Sequence, residues 1–146
     1  MITTKDVNMF NRTFEKARRL KQFYFESNSR VVVASLSRGN RILVYGKNSY
    51  TKSHPATIQT KPNVVITKHA EVDVINRFMN LFSDKDISNY SICVVSLTHS
   101  IKPNLSISSK PCESCMPFIK QSGIKRILYH EFYNDIRFSI NEILLG

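Results

Sequence analysis

The chain has 146 residues, 42% apolar and 22% charged, with 4 Gly and 5 Pro, which describes one folded domain and excludes collagen-like, low-complexity and disordered classes. Basic residues outnumber acidic ones 21 to 11, a formal charge of +10, so an anionic partner is expected, whether nucleotide, nucleic acid or acidic surface. The longest apolar runs, such as 31–34 and 92–95, fall far short of the roughly 18 residues a membrane span needs, and no apolar signal core follows the N-terminus; a cytoplasmic location with no membrane contact is expected.

Residues 4–26 bring Val7, Phe10, Phe14 and Ala17 to helical spacing, with Thr4 as the N-cap and Lys and Arg on the other face. Two β-branched runs, 30–37 and 41–45, follow, and Gly39-Asn40 between them reads as a hairpin turn. From 46 to 68 the chain turns polar, and so long an irregular stretch in a small domain reads as a loop over a site. Val72, Ile75, Phe78, Met79 and Phe82 predict a second helix over 69–82, and 90–98 reads as a buried strand. A third helix begins near Pro111 or Cys112 and stops at Gly123, residues 124–130 form another strand, and Ile136, Ile140 and Leu144 in register predict a closing helix. That order describes an α/β fold, a three-layer α/β/α sandwich on a mixed sheet of about five strands, in a single domain over 1–146.

Three Cys in a reducing compartment call for metal or redox chemistry rather than disulfides. Cys112 and Cys115 stand one helical turn apart, so both sulfurs can face one point, and His69 opens another helix. One imidazole and two thiolates suit Zn²⁺ and leave its fourth position open, the arrangement of a catalytic zinc. Glu71, two residues past His69, is near enough to exchange protons with a metal-bound water without being a ligand. A Cys-x-x-Cys taken alone also suits a redox dithiol, and a structural zinc would want a fourth ligand from His54, His99 or Cys93.

His69-Ala70-Glu71 followed by Pro111-Cys112-Glu113-Ser114-Cys115 is the H-x-E and P-C-x-x-C pattern of zinc deaminases. On these motifs the chain resembles the cytidine and deoxycytidylate deaminase superfamily over nearly its whole length. The resemblance implies zinc on His69, Cys112 and Cys115, and Glu71 shuttling protons while zinc-bound hydroxide attacks C4 of cytosine, ammonia leaves and uracil forms. It further implies that Asn48 contacts the sugar, that the Ala70 backbone receives the exocyclic amine and ring edge, and that Tyr129, or Phe132 and Tyr133, lies near the pocket. His54 and Lys110 are added as pocket and phosphate contacts from their place in flanking loops. Small nucleoside deaminases usually carry Cys where this chain has His69, which brings it nearer the nucleotide and polynucleotide branches, although residues 99–110 intervene before the second motif. The expected activity is hydrolytic deamination of a cytosine nucleotide or nucleoside, dCMP or deoxycytidine favoured, in a homo-oligomer. The alternatives are a cytosine deaminase acting on single-stranded DNA or RNA, and an inactive zinc fold that binds nucleic acid.

Overall fold

The structure, a computed structural model, describes residues 1–24, 29–49, 68–98, 104–132 and 138–146. Residues 50–67, which include His54, and His99 and Tyr133 lie outside the described residues. The chain forms α1 (Thr4–Tyr24), β1 (Val31–Arg38), β2 (Arg41–Lys47), α2 (Ala70–Leu81), β3 (Ser91–Leu97), α3 (Cys115–Ser122), β4 (Arg126–Phe132) and β5 (Phe138–Leu144). The strands make one sheet in the order β2-β1-β3-β4-β5, with β3 and β4 parallel and the other neighbours antiparallel. One face carries α1 on Val31, Val33, Cys93 and Val95; the other carries α2 and α3 on Ala34, Leu36, Ile92 and Val94. The expected three-layer α/β/α sandwich is therefore the fold, and no helix among the described residues is long and apolar enough to cross a membrane.

Three local readings change. Helix α1 is capped by Thr3 rather than Thr4: the Asp6 N–H donates to Thr3 Oγ1 at 3.2 Å and the Thr3 N–H to the Asp6 carboxylate at 2.8 Å. A reciprocal cap needs a side-chain acceptor three residues on, which Thr3 finds in Asp6 and Thr4, facing Val7, does not. The closing element is strand β5, paired along its length with β4. A spacing of four puts residues on one side of a helix and also on one side of a strand, so Ile140 and Leu144 fit both periods. Cys112 precedes α3, its carbonyl accepting from the N–H groups of Cys115 and Met116.

The position of α2 rests on Gly46. A Cβ built there would stand 2.4 Å from the Val74 backbone nitrogen and 2.7 Å from its Cα, so β2 and α2 meet backbone to backbone. Gly46→Ala is expected to cost on the order of 3 kcal/mol in urea unfolding, at the upper end for overpacking because backbone rather than a side-chain tip must yield. The displaced α2 should also lower zinc uptake.

Beyond Ile92↔Ile127 and Cys93↔Leu128 the parallel ladder of β3 and β4 stops, and residues 105–109 fill the gap. The Ser106 N–H donates to the Ser96 carbonyl, the Ser109 N–H to the His130 carbonyl, and Ser109 Oγ to the Val94 carbonyl. His130, fully buried edge-on to Phe10, accepts the Ser96 N–H at Nε2 (3.1 Å), which makes it the neutral tautomer with its hydrogen on Nδ1. Burial holds its pKa down at about 4. Below the unfolded value of about 6.5 the unfolded chain takes up a proton that the folded chain refuses until about 4, so stability falls as pH drops through this window. The loss is roughly 2–3 kcal/mol at about 1.4 kcal/mol per pH unit. Urea midpoints at pH 7 and 4.5 should show that drop in the wild type and a smaller one in His130→Gln.

At the far end of β4, Arg126 bridges Asp6 of α1 at 2.7 Å and Glu142 of β5, tying three elements together. The Arg126 hydrogen bond holds the Asp6 pKa down at about 2.

Candidate metal centre and active site

Just past β2 and just before α2, Ser49 and Lys68 exchange backbone hydrogen bonds of 2.9 and 3.1 Å. His69 follows in extended conformation (φ −85°, ψ 149°) as the residue capping α2, which turns its ring across to the turn before α3. Asp73, buried one turn into α2, accepts the Lys47 N–H at 3.0 Å and pairs with Lys68 at 2.9 Å and Arg77 at 3.0 Å, so one carboxylate fixes the end of β2 and the start of α2 together.

His69 Nδ1 lies 3.1 Å from Cys115 Sγ and 3.4 Å from Cys112 Sγ, and the three ligand atoms lie within 4.8 Å of one another. The donor set tests well against zinc: Zn–S near 2.3 Å and Zn–N near 2.0 Å require ligand atoms roughly 3.5–3.8 Å apart around a tetrahedral ion. Cys115 is buried in the core and Cys112 is exposed. The Cys112 thiol is held at about 3, chiefly because Cys115 and then His69 hydrogen-bond to its thiolate. Cys115, as the donor of that pair and a buried one, is pushed up. Beside the Cys112 thiolate, His69 is raised.

A cavity of about 120 Å³ opens beside these sulfurs, lined by Asn48, His69, Ala70, Glu71, Lys110 and Cys112, with Val32 and Val94 as apolar walls. Glu71 is 5% exposed, and burial raises its pKa against the lowering effects of its own backbone N–H and of His69. Ala70 stands in the first turn of α2, where backbone N–H groups have no partner within the helix. Asn48 is 1% exposed and grips β1: its Oδ1 accepts the Val32 N–H and its Nδ2 donates to the Arg30 carbonyl, both at 3.0 Å. One Nδ2 hydrogen and one Oδ1 lone pair remain beyond those two bonds. Lys110 is exposed at the rim.

Tyr129 does not join this group; it packs in the core beneath α2 and α3 and is not among the residues lining the cavity. His54 lies outside the described residues. Sequence reasoning missed Arg30, Ser96, Ser108 and Ser109, which also line the cavity. The signal for Ser96 was its isolation as a hydroxyl in the apolar run 92–97, and for Ser109 the serine-rich approach to Pro111.

The chain matches the model of the cytidine and deoxycytidylate deaminase zinc-binding region over residues 5–131. No curated protein sequence matches it. Among solved structures it is similar to the dCMP deaminase of cyanophage S-TIM5 in complex with dCMP and dUMP, with 16% identity over 82% of this chain and 78% of that one and a TM-score of 0.51. It is also similar to the cytidine deaminase of Burkholderia pseudomallei, with 15% identity over 93% of this chain and 92% of that one and a TM-score of 0.54. With the family match spanning most of its length, this chain belongs to the cytidine and deoxycytidylate deaminase family.

Proposed function

We propose that the chain is a zinc-dependent hydrolase that converts the cytosine base of a nucleotide or nucleoside to uracil and ammonia, with dCMP or deoxycytidine as the favoured substrate. The observation that carries this reading is the approach of His69 Nδ1 to both Cys112 and Cys115 sulfurs at 3.1–3.4 Å, with the buried Glu71 carboxyl lining the same cavity. Zinc on these three ligands would supply a water acidified to near neutral pH, since three protein ligands leave one tetrahedral position open.

The chain's own residues do the remaining work. Glu71 takes a proton from the attacking water and gives it to the ring nitrogen as the hydroxyl adds at C4; it then takes the proton of that hydroxyl and gives it to the amine, so that the C4–N bond breaks, ammonia leaves and the C4 carbonyl forms. Burial that raises its pKa suits a carboxyl that must both accept and give a proton. The Ala70 N–H meets the ring edge, and the spare hydrogen and lone pair of Asn48 meet a sugar hydroxyl while its other bonds hold it to β1. Val32 and Val94 keep bulk water from the base. Lys110 at the rim offers a cation to a substrate phosphate.

The test is ammonia release by zinc-loaded protein against deoxycytidine, dCMP, dAMP and a cytosine-containing single-stranded oligonucleotide. Ammonia with a uracil product from the nucleoside or nucleotide is the expected result. Protein that holds one zinc per chain and releases no ammonia from either compound would overturn the reading, and release from the oligonucleotide alone would replace it with deamination of single-stranded nucleic acid.

A further inference from the structure

Strand β2 stands at the edge of the sheet, with β1 as its single strand neighbour among the described residues. Two hollows flank it. One, of about 480 Å³, lies on the α1 side against Arg12, Lys16, Arg19 and Tyr45; the other, of about 400 Å³, continues past Lys16 and Tyr45 to Lys47 and Arg77 on the α2 side. Lys16 and Tyr45 belong to both, so the hollows form one groove along the edge, and the Lys16 ammonium sits 5.5 Å from the centre of the Tyr45 ring. Arg12, Lys16 and Arg19 are spaced four and three residues apart on one face of α1, and all three are exposed.

The charge of this groove is one-sided. Among the described residues it has two carboxylates, and both are paired, Glu15 with Arg18, and Asp73 with Lys68 and Arg77. Among the described residues Arg12, Lys16 and Arg19 have no carboxylate partner. A second copy of the chain docking edge to edge would bring like charges together. A lipid surface calls for protruding apolar side chains, and among the described residues none of the large exposed ones lines this groove. A polyanion that also carries flat rings fits both the cations and Tyr45.

We propose that the groove between α1 and the β2 edge binds single-stranded nucleic acid, with Arg12, Lys16 and Arg19 on its phosphates and Tyr45 as a stacking surface. The chain carries a formal charge of +10, and Arg12, Lys16 and Arg19 line one side of this groove next to Tyr45, the combination such a ligand calls for. The contact is independent of the deaminase cavity and does not rest on the reading of that site.

The test is fluorescence anisotropy with a labelled oligothymidylate, which offers the cavity no cytosine, so binding and deamination succeed or fail separately. The zinc-loaded wild type and an Arg12→Gln, Lys16→Gln, Arg19→Gln triple variant are titrated at several salt concentrations, with thermal melts confirming that the variant folds. The expected result is an affinity loss of about tenfold or more at low salt. The slope of log affinity against log salt should flatten by about 2, at about 0.7 for each phosphate contact removed. Deamination of a free nucleotide should be unchanged in the variant. A triple variant with wild-type affinity and slope overturns the proposal, as does competition by polyglutamate of equal length as effective as that of the oligonucleotide itself.

Discussion

Glu71→Gln is expected to lower kcat for cytosine deamination by about 10³-fold or more while leaving zinc content intact. General acid–base catalysis by one positioned group contributes about 10²–10⁴-fold, and here the same carboxyl is asked to carry one proton from the water to the ring nitrogen and a second from the C4 hydroxyl to the leaving amine. Glutamine keeps the size and the hydrogen-bonding shape but can do neither. The fold should not suffer. Glu71 is buried and its charged form is penalised by that burial, so the neutral amide should melt at the same temperature or higher. Steady-state ammonia release, metal analysis and a thermal melt on one preparation make the comparison; turnover within tenfold of the wild type would remove Glu71 from the reaction.

The second large effect separates the two cysteines. Cys112→Ser and Cys115→Ser should each retain less than roughly a tenth of the zinc after dialysis, because a neutral hydroxyl replaces a thiolate ligand and zinc affinity is coupled to folding. Stability then tells them apart. Cys115 is packed in the core with Ala70, Val72 and Ile119, whereas Cys112 is exposed. In the presence of chelator, Cys112→Ser should melt with the chelated wild type. Cys115→Ser should melt lower, by the roughly 1–3 kcal/mol of a polar group buried without a full set of partners. Without chelator the wild type should gain stability on adding zinc and neither variant should. Stoichiometric zinc in either variant would remove that residue from the ligand set.

Much of this arrangement was legible in the residues, for reasons that differ from element to element. The hairpin of β1 and β2 could be read because Gly39 takes the positive φ (+63°) that its turn requires, and α2 because Val72, Ile75 and Phe78 repeat at helical intervals. The motif residues could be read because metal and proton chemistry restrict which side chains serve. What stayed hidden depends on contacts between distant segments. Nothing local in Asn48 announces that its amide holds the start of β1. His130 lies in an apolar run with no motif around it, and its role appears only once β3 and β4 part. Strand β5 was hidden differently: it gains its backbone partners from β4, and its own spacing of apolar residues suits two periods equally.

The pair of residues that brackets the approach to the second motif carries a consequence for chain length. The Thr98 N–H donates to the Asn104 carbonyl at 2.8 Å, and from Leu105 onward the chain is fastened to β3 and β4, so the wall leading to Lys110 and Cys112 is anchored on the near side of that clasp. Whatever number of residues spans 98 to 104, the clasp presents the same two ends to the rest of the protein. Doubling such a span costs only about 0.6 kcal/mol of closure entropy. This makes the connection a natural place for homologues to differ by insertion or deletion, and for an engineered peptide or tag to be introduced, with the cavity wall downstream unchanged.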